Sequence, residues 1–391
     1  MLDSPSEFRR SGRLAGIELS EIVQISERAR QMRDEGRDVI ALSTGEPDFP
    51  TPAFVIEAAF DAMRNGETRY TPTAGTPALR QAVADEHGRQ ASEVIVSNGA
   101  KQVLSSALLA TLDPGDEVIL PTPFWTSYAD MVVVAGGVPV TVPCPMEAGF
   151  KLSPEALEAA ITPRTRWLML NAPSNPSGAI YTATEIAALA AVLDRHPHVW
   201  VISDEIYAHL SYAPFTSFTA AAPQLASRTL IVSGVSKAWS MTGWRIGWGV
   251  GPASLIKAMV VVQGQSTSGA SSVSQAAALA ALSGPRGLLA ERRDAFRARR
   301  QKVVAGLNAL PGITCPEPDG AFYVFPSCSA ALRPGESCGD FCARILDQAG
   351  VALVPGRAFG LPGHFRLSFA YSDDALDAAL ARLSDALTGD L

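Results

Sequence analysis

The sequence predicts an α/β protein: a large domain on a doubly wound, mainly parallel sheet, joined to a smaller α+β domain. Between residues 94 and 233, short apolar runs alternate with helical segments. Most of those runs are continuous rather than alternating in polarity, as strands covered on both faces require. After Gly284 and Pro285 the pattern changes to a long helix, then strand-like runs interleaved with helices. The 391 residues suit about two domains. The expected division is an N-terminal arm with part of the small domain at 1–45, the large domain at 46–285 and the rest of the small domain at 286–391.

The elements follow in order. Ile22, Ile25, Ala29 and Met32 have helical spacing, ended by Gly36. A short strand at Val39 to Leu42 leads into the loop STGEPDFPTP. Val94 to Ser97 is a strand, followed by a helix from about Lys101 to Leu112. Val118 to Leu120 is another, followed by a segment around Phe124 to Ala135. Val138 to Val142, Trp167 to Leu170, Val199 to Ser203 and Thr229 to Ser233 complete the buried strands. The long helix runs from about Leu288 to Leu310, and its basic run, Glu291 to Lys302, is expected on a solvated face. Strands at Ala321 to Phe325, Val351 to Val354 and Phe365 to Phe369, with helices near Gly339 to Gln348 and Asp374 to Leu387, build the smaller domain.

Composition excludes several classes. With 47% hydrophobic and 18% charged residues, the chain is that of an ordered globular enzyme. Its net charge of -7 argues against nucleic acid and anionic membrane as partners. Met131 to Val142 is broken by Gly136, Gly137 and Pro139, and falls short of the roughly 20 residues a spanning helix needs. MLDSPSEFRR lacks the apolar stretch of a secretory signal. Cys144, Cys315, Cys328, Cys338 and Cys342 are odd in number with no CxxC pair, so neither a disulfide framework nor a metal site is expected. A cytoplasmic location is the expectation.

Polar residues gather just past the strand ends, where open α/β sheets bind ligands. Asn98, Gly99, Ala100 and Lys101 open a helix whose N–H groups suit a phosphate; a plain tight turn uses the same residues. Asn175 sits in the rigid turn NAPSNPSGAIY, which either aims its amide inward or serves structure alone. Asp204 ends an apolar strand, and a carboxylate there needs a partner: a ligand cation, a buried arginine or a helix cap. Lys237 follows the Thr229 strand within SGVSKAWSMTGWRIG. A lysine in apolar surroundings can lose its proton, and the neutral amine forms an imine with a carbonyl; a salt-bridged structural lysine is the alternative. Arg245 offers a phosphate two parallel hydrogen bonds. A phosphate cradle, an imine-forming lysine and a carboxylate for a ring nitrogen are together the equipment of a pyridoxal 5'-phosphate site.

The motifs SNPSGAIY, SDEIYAHL and SGVSKAWSMTGWRIGWG resemble those of class I aminotransferases, fold type I pyridoxal-phosphate enzymes. GEPDFPTP, YTPTAGTPALR, VSNGAKQVL and VALVPGRAFG extend the likeness over nearly the whole chain, and it is nearest to the bacterial aspartate/prephenate aminotransferase branch. The resemblance implies that Lys237 holds the cofactor and shuttles the proton, and that Asp204 pairs with the pyridine nitrogen. It implies that Tyr207 and Asn175 bond the phenolic oxygen, and that Arg245, Ser236 and the backbone at Gly99, Ala100 and Lys101 hold the phosphate, with Ser233 assisting. It further implies a homodimer with shared sites, in which Tyr70 reaches the neighbour's phosphate. Trp125 would stack on the pyridine ring, Gly45 would offer a backbone contact to substrate, and Arg366 would bind the α-carboxylate. On residues alone, Trp125 reads equally as core and Arg366 as surface. Lys101 stands where this branch places a lysine near the substrate's distal carboxylate; a helix-start lysine facing solvent is its alternative.

The expected reaction is therefore transamination between an L-amino acid, aspartate or glutamate, and a 2-oxo acid such as 2-oxoglutarate. An aromatic or prephenate aminotransferase and a fold type I β-lyase share the same cofactor residues. Departures from the family pattern are Ser177 where threonine is commoner, Gly269 where many relatives carry asparagine, and a short stretch between Ala84 and Glu93. A nicotinamide dehydrogenase is disfavoured because GWGVG opens no helix and has no GxGxxG spacing. A serine acyl-transfer enzyme is disfavoured by Gly234 where SxxK needs serine.

Overall fold

The computed structural model describes residues 10–389. Residues 1–9, which include most of the segment read for a secretory signal and part of the expected N-terminal arm, and the last two residues lie outside the described residues. Among the described residues, the large sheet has seven strands. From edge to edge they are Val94–Ser97, Gly247–Val250, Thr229–Gly234, Trp200–Asp204, Thr165–Asn171, Glu117–Thr122 and Val138–Pro143. Gly247–Val250 is antiparallel to both neighbours and every other pairing is parallel. Val94–Ser97 and Gly247–Val250 are buried at every position, because helices cover both faces. The carboxyl ends of Val94–Ser97, Thr165–Asn171, Trp200–Asp204 and Thr229–Gly234 consequently open on one edge.

The sheet differs from expectation in two places. Val138–Pro143 is an edge strand with Val138 exposed, so it is not buried on both faces. Gly247–Val250 was read only as glycine-rich, yet it is a strand. Its glycines are fixed by packing: a Cβ at Gly247 would lie 2.3 Å from the Ala100 nitrogen, and one at Gly249 2.8 Å from Val103 Cγ1. The Ala100–Thr111 helix therefore lies directly on this strand.

Around this sheet lies a second group of elements. Ile40–Ala41 pairs with Val351–Ala352, and Phe365–Ser368 lies between Val354–Pro355 and Tyr323–Val324. The helices Gly287–Asn308, Cys338–Ala349 and Asp373–Thr388 pack on them through Phe296, Phe341, Ile345 and Leu383. All five cysteines are free and buried, and they act as small apolar residues.

Only part of the basic run lies on a solvated face, with Glu291, Arg293, Asp294 and Lys302 outward. Arg292, Phe296, Arg299, Arg300 and Val303 all turn inward along the Gly287–Asn308 helix. Arg292 donates to the carbonyls of Ala238 (3.1 Å) and Pro50 (2.6 Å), Arg299 pairs with Asp48 at 2.8 Å, and Arg300 donates to the Pro318 carbonyl at 2.8 Å. Arg292 and Arg300 thereby satisfy loop carbonyls that would otherwise be buried unpaired, and Arg299 pairs with a loop carboxylate. Among the described residues, no helix is long and apolar enough to cross a membrane.

Candidate active site

A cavity of about 370 Å³ opens at the carboxyl edge of the sheet, within the range of small-molecule sites. Lys237, Asp204, Tyr207, Asn175, Arg245 and Arg366 all line it, and so do Gly45, Ala100, Lys101, Trp125 and Ser236. Gly99 stands behind Arg245, Ser233 remains in its strand away from the cavity wall, and Tyr70 lies on the surface, 99% exposed.

Lys237 follows the buried Thr229–Gly234 strand by three residues. Its ammonium donates to the Gly45 carbonyl at 2.8 Å, a neutral acceptor rather than a carboxylate. Burial holds its pKa down at about 8; Glu46 and Asp204 oppose this, while Arg366 and Arg245 reinforce it. An ordinary lysine keeps its proton well above this range.

Asp204 closes the Trp200–Asp204 strand and is 3% exposed. Tyr128 donates its hydroxyl to Oδ2 at 2.7 Å and the Ile206 N–H reaches Oδ1 at 3.2 Å. Burial pushes Asp204 up to about 6, against those two hydrogen bonds and the nearby Lys237. Its partner is thus neither a buried arginine nor a helix cap. Tyr128 escaped the sequence reading, although it stands three residues after Trp125, a spacing that helps place the two rings in contact, 5.5 Å apart.

Arg366 is 1% exposed, so it is not a surface arginine. Nη1 donates to Asn175 Oδ1 at 2.9 Å and Nη2 to the Ser43 carbonyl at 2.5 Å. Its Nε has no partner among the described residues. A buried cation facing neutral acceptors, with a donor to spare, is poised for an anion. Asn175 is set by its turn, its N–H donating to Asn171 Oδ1 at 2.7 Å. Asn171 in turn donates to the Asp204 carbonyl at 2.9 Å, a link the sequence reading also passed over.

Gly99, at φ +84°, precedes the Ala100–Thr111 helix. A Cβ there would come within 2.7 Å of Arg245 Nη2. Arg245, at φ 57°, is held by the Thr242 carbonyl at 2.9 Å. A guanidinium, a helix N-terminus and the Ser236 hydroxyl thus converge, as a phosphate requires. Lys101 does not simply face solvent: Nζ lies 3.1 Å from Ser127 Oγ and 4.7 Å from the Trp125 ring centroid.

Comparison with known proteins decides the family. The model of aminotransferase class I and II matches residues 37–383. The chain belongs to this family. An aspartate aminotransferase of Rhizobium meliloti is 51% identical over 394 residues, covering 97% of this chain and 96% of that protein. An aspartate/prephenate aminotransferase of Cereibacter sphaeroides is 49% identical, covering 95% and 97%. The crystal structure of the Rhizobium meliloti aspartate aminotransferase superposes with a TM-score of 0.94 at 50% identity, covering 97% of this chain and 99% of that one. The Thermus thermophilus aspartate aminotransferase with maleate gives 0.93 at 42% identity, covering 97% and 100%.

This aminotransferase has the α/β architecture of its family and uses pyridoxal 5'-phosphate to exchange amino groups between amino acids and 2-oxo acids. The residues fit that cofactor. The Gly99 cradle leaves no room for a side chain beside Arg245, and an amine of lowered pKa and a buried carboxylate line the same cavity.

Proposed function

We propose that this aminotransferase takes dicarboxylic substrates, with aspartate as amino donor and 2-oxoglutarate as acceptor. The observation that carries this reading is the pair of cationic ends in one cavity: buried Arg366 without a carboxylate partner, and Lys101 against Trp125. Arg366, which lines the cavity, takes the α-carboxylate, with Gly45 beside it. Lys101 takes the distal carboxylate as a point charge. Burial, with help from Arg245 and against Asp130, pulls its pKa down, a cost that a substrate carboxylate beside it would offset. Prephenate also bears a carboxylate remote from its keto acid group, and the name of the Cereibacter relative favours it as a second substrate.

The cofactor, when bound, supplies an aldehyde for amino groups and an electron-accepting ring. Around it, Lys237 Nζ is the covalent anchor and moves the proton at the substrate α-carbon. Asp204 holds a proton on the ring nitrogen. Tyr207 and Asn175 donate to the phenolic oxygen. Arg245, Ser236 and the N–H groups at Gly99 to Lys101 hold the phosphate; Ser233, away from the cavity wall, takes no direct part. Trp125 covers the ring and excludes water.

The same reading includes a homodimer. Ile56, Phe60 and Met63, four and three residues apart along the Ala53–Arg64 helix, leave an exposed apolar stripe, which suits an association surface. Tyr70, fully outside its own cavity, completes the phosphate site of the neighbour. Free cysteines throughout suit the cytoplasm.

Steady-state kinetics across amino donors tests the substrate. Lys101→Ala is expected to lower kcat/KM for aspartate by roughly 10- to 100-fold, with aromatic donors little changed. An unchanged value for aspartate, with aromatic donors preferred by the parent, contradicts the assignment.

A further inference from the structure

Tyr323 begins the short Tyr323–Val324 strand, pairs with Ser368 and is 1% exposed. Its side chain crosses to the active-site cavity and touches three of the groups assembled there. Its hydroxyl lies 2.9 Å from the Tyr207 hydroxyl. Its ring lies under Arg366, with the guanidinium carbon 4.5 Å from the centroid. A Cβ on Gly45 would come within 2.2 Å of its hydroxyl oxygen, so position 45 accommodates this tyrosine only as glycine. That same glycine accepts the Lys237 hydrogen bond.

A phenol has one proton to give and an oxygen that accepts. Between two buried tyrosines only one can donate to the other. If Tyr207 donated to Tyr323, it would have nothing left for a ligand. With Tyr323 donating to Tyr207, the Tyr207 proton points into the cavity, and a hydroxyl that accepts a hydrogen bond is itself a stronger donor. We propose that Tyr323 is a positioning residue that directs the Tyr207 proton at the phenolic oxygen of the cofactor. This rests on the reading of Tyr207 given above.

Asp204, Lys237 and Arg366 also face Tyr207, and Arg366 and Tyr371 face Tyr323. Burial raises both phenols, so both keep their protons around neutrality. A donor at the phenolic oxygen stabilises its anionic form and lowers the pH at which the cofactor's visible band titrates. Weakening that donor raises it.

The test is a pH titration of the visible absorbance of the cofactor-loaded protein in four forms: parent, Tyr323→Phe, Tyr207→Phe and the double variant. Phenylalanine keeps the ring on Arg366, so KM for aspartate is expected to stay within about twofold. Tyr323→Phe is expected to raise the midpoint by roughly 0.5 pH units, less than Tyr207→Phe does. The double variant should match Tyr207→Phe alone, because Tyr323 acts through Tyr207. Incorporating 3-fluorotyrosine at position 323, which donates more strongly, should move the midpoint the other way. An unmoved midpoint in Tyr323→Phe, or an additive shift in the double variant, overturns the proposal alone. An unmoved midpoint in Tyr207→Phe overturns the role of Tyr207 and, with it, this relay.

Discussion

At the scale of the residue, the site is a set of charges held where water would not hold them. Asp204 is the clearest case. Its folded pKa, about 6, lies above the ordinary 3.8 because the carboxylate is buried. Between those values the folded cofactor-free protein binds more protons than the unfolded chain, so stability falls as pH rises. The carboxyl's favourable contribution is fully present below about pH 4 and is lost as pH passes 6. Asp204→Asn removes the buried charge. In urea titrations without cofactor the variant should therefore be more stable at pH 7, by up to about 3 kcal/mol, with the gain disappearing toward pH 4. Its transamination should drop sharply in the same preparation. A variant less stable than the parent at pH 7 contradicts the account of the burial cost. Lys237 and Asp204 could be singled out in the sequence because each stands at or just past the end of an apolar strand. Tyr128 and Tyr323 were not, because a phenol announces no role until its partner is known, and their partners lie 76 and 116 residues away.

At the scale of the element, continuous apolar runs identified six of the seven strands of the large sheet, since burial on both faces leaves no polar alternation; the sixth, the edge strand Val138–Pro143, is apolar without being so buried. Gly247–Val250 was hidden because its glycines answer to the helix above it rather than to strand propensity. The helices Ala53–Arg64, Pro77–His87, Ala253–Ser266 and Ser272–Ser283 were also missed. Ser272–Ser283 is rich in alanine and serine and has little contrast between its faces. Pro77 at the first turn and Gly88 at a left-handed C-cap did mark the second of them. The basic helix was misread in part because charge was taken as exposure, whereas Arg292, Arg299 and Arg300 turn inward. Arg292 binds the carbonyl of Ala238, the residue after Lys237, and that of Pro50 in the Gly45 loop. Arg292→Met should cost about 2–4 kcal/mol of folding stability in thermal or urea unfolding. A loss under about 0.5 kcal/mol would mark it as an ordinary surface residue.

At the scale of the whole molecule, the cavity lies where the parallel strands end and where the Phe365–Ser368 and Tyr323–Val324 strands bring in Arg366 and Tyr323. Neither part lines the cavity alone: Asp204 ends a strand of the large sheet and Lys237 follows another, while the smaller sheets supply Arg366 and Tyr323. Length and the change of pattern after Pro285 indicated two parts, but their mutual seating depends on contacts such as Arg366 to Asn175, 191 residues apart. The exposed Ile56, Phe60 and Met63 extend this reasoning to a second copy. In sedimentation the parent should run at twice the chain mass, and Phe60→Glu should shift it toward the monomer with loss of activity. A parent that sediments as a monomer at full activity contradicts the shared site.

The central claim is that the amine of Lys237 forms the covalent link to the cofactor. Borohydride reduction of the pyridoxal 5'-phosphate-loaded protein, followed by peptide mapping, tests it most directly. The cofactor mass is expected on the peptide containing Lys237 and to be lost in Lys237→Ala. An unmodified Lys237 peptide from saturated protein, or the mass on another lysine, contradicts it.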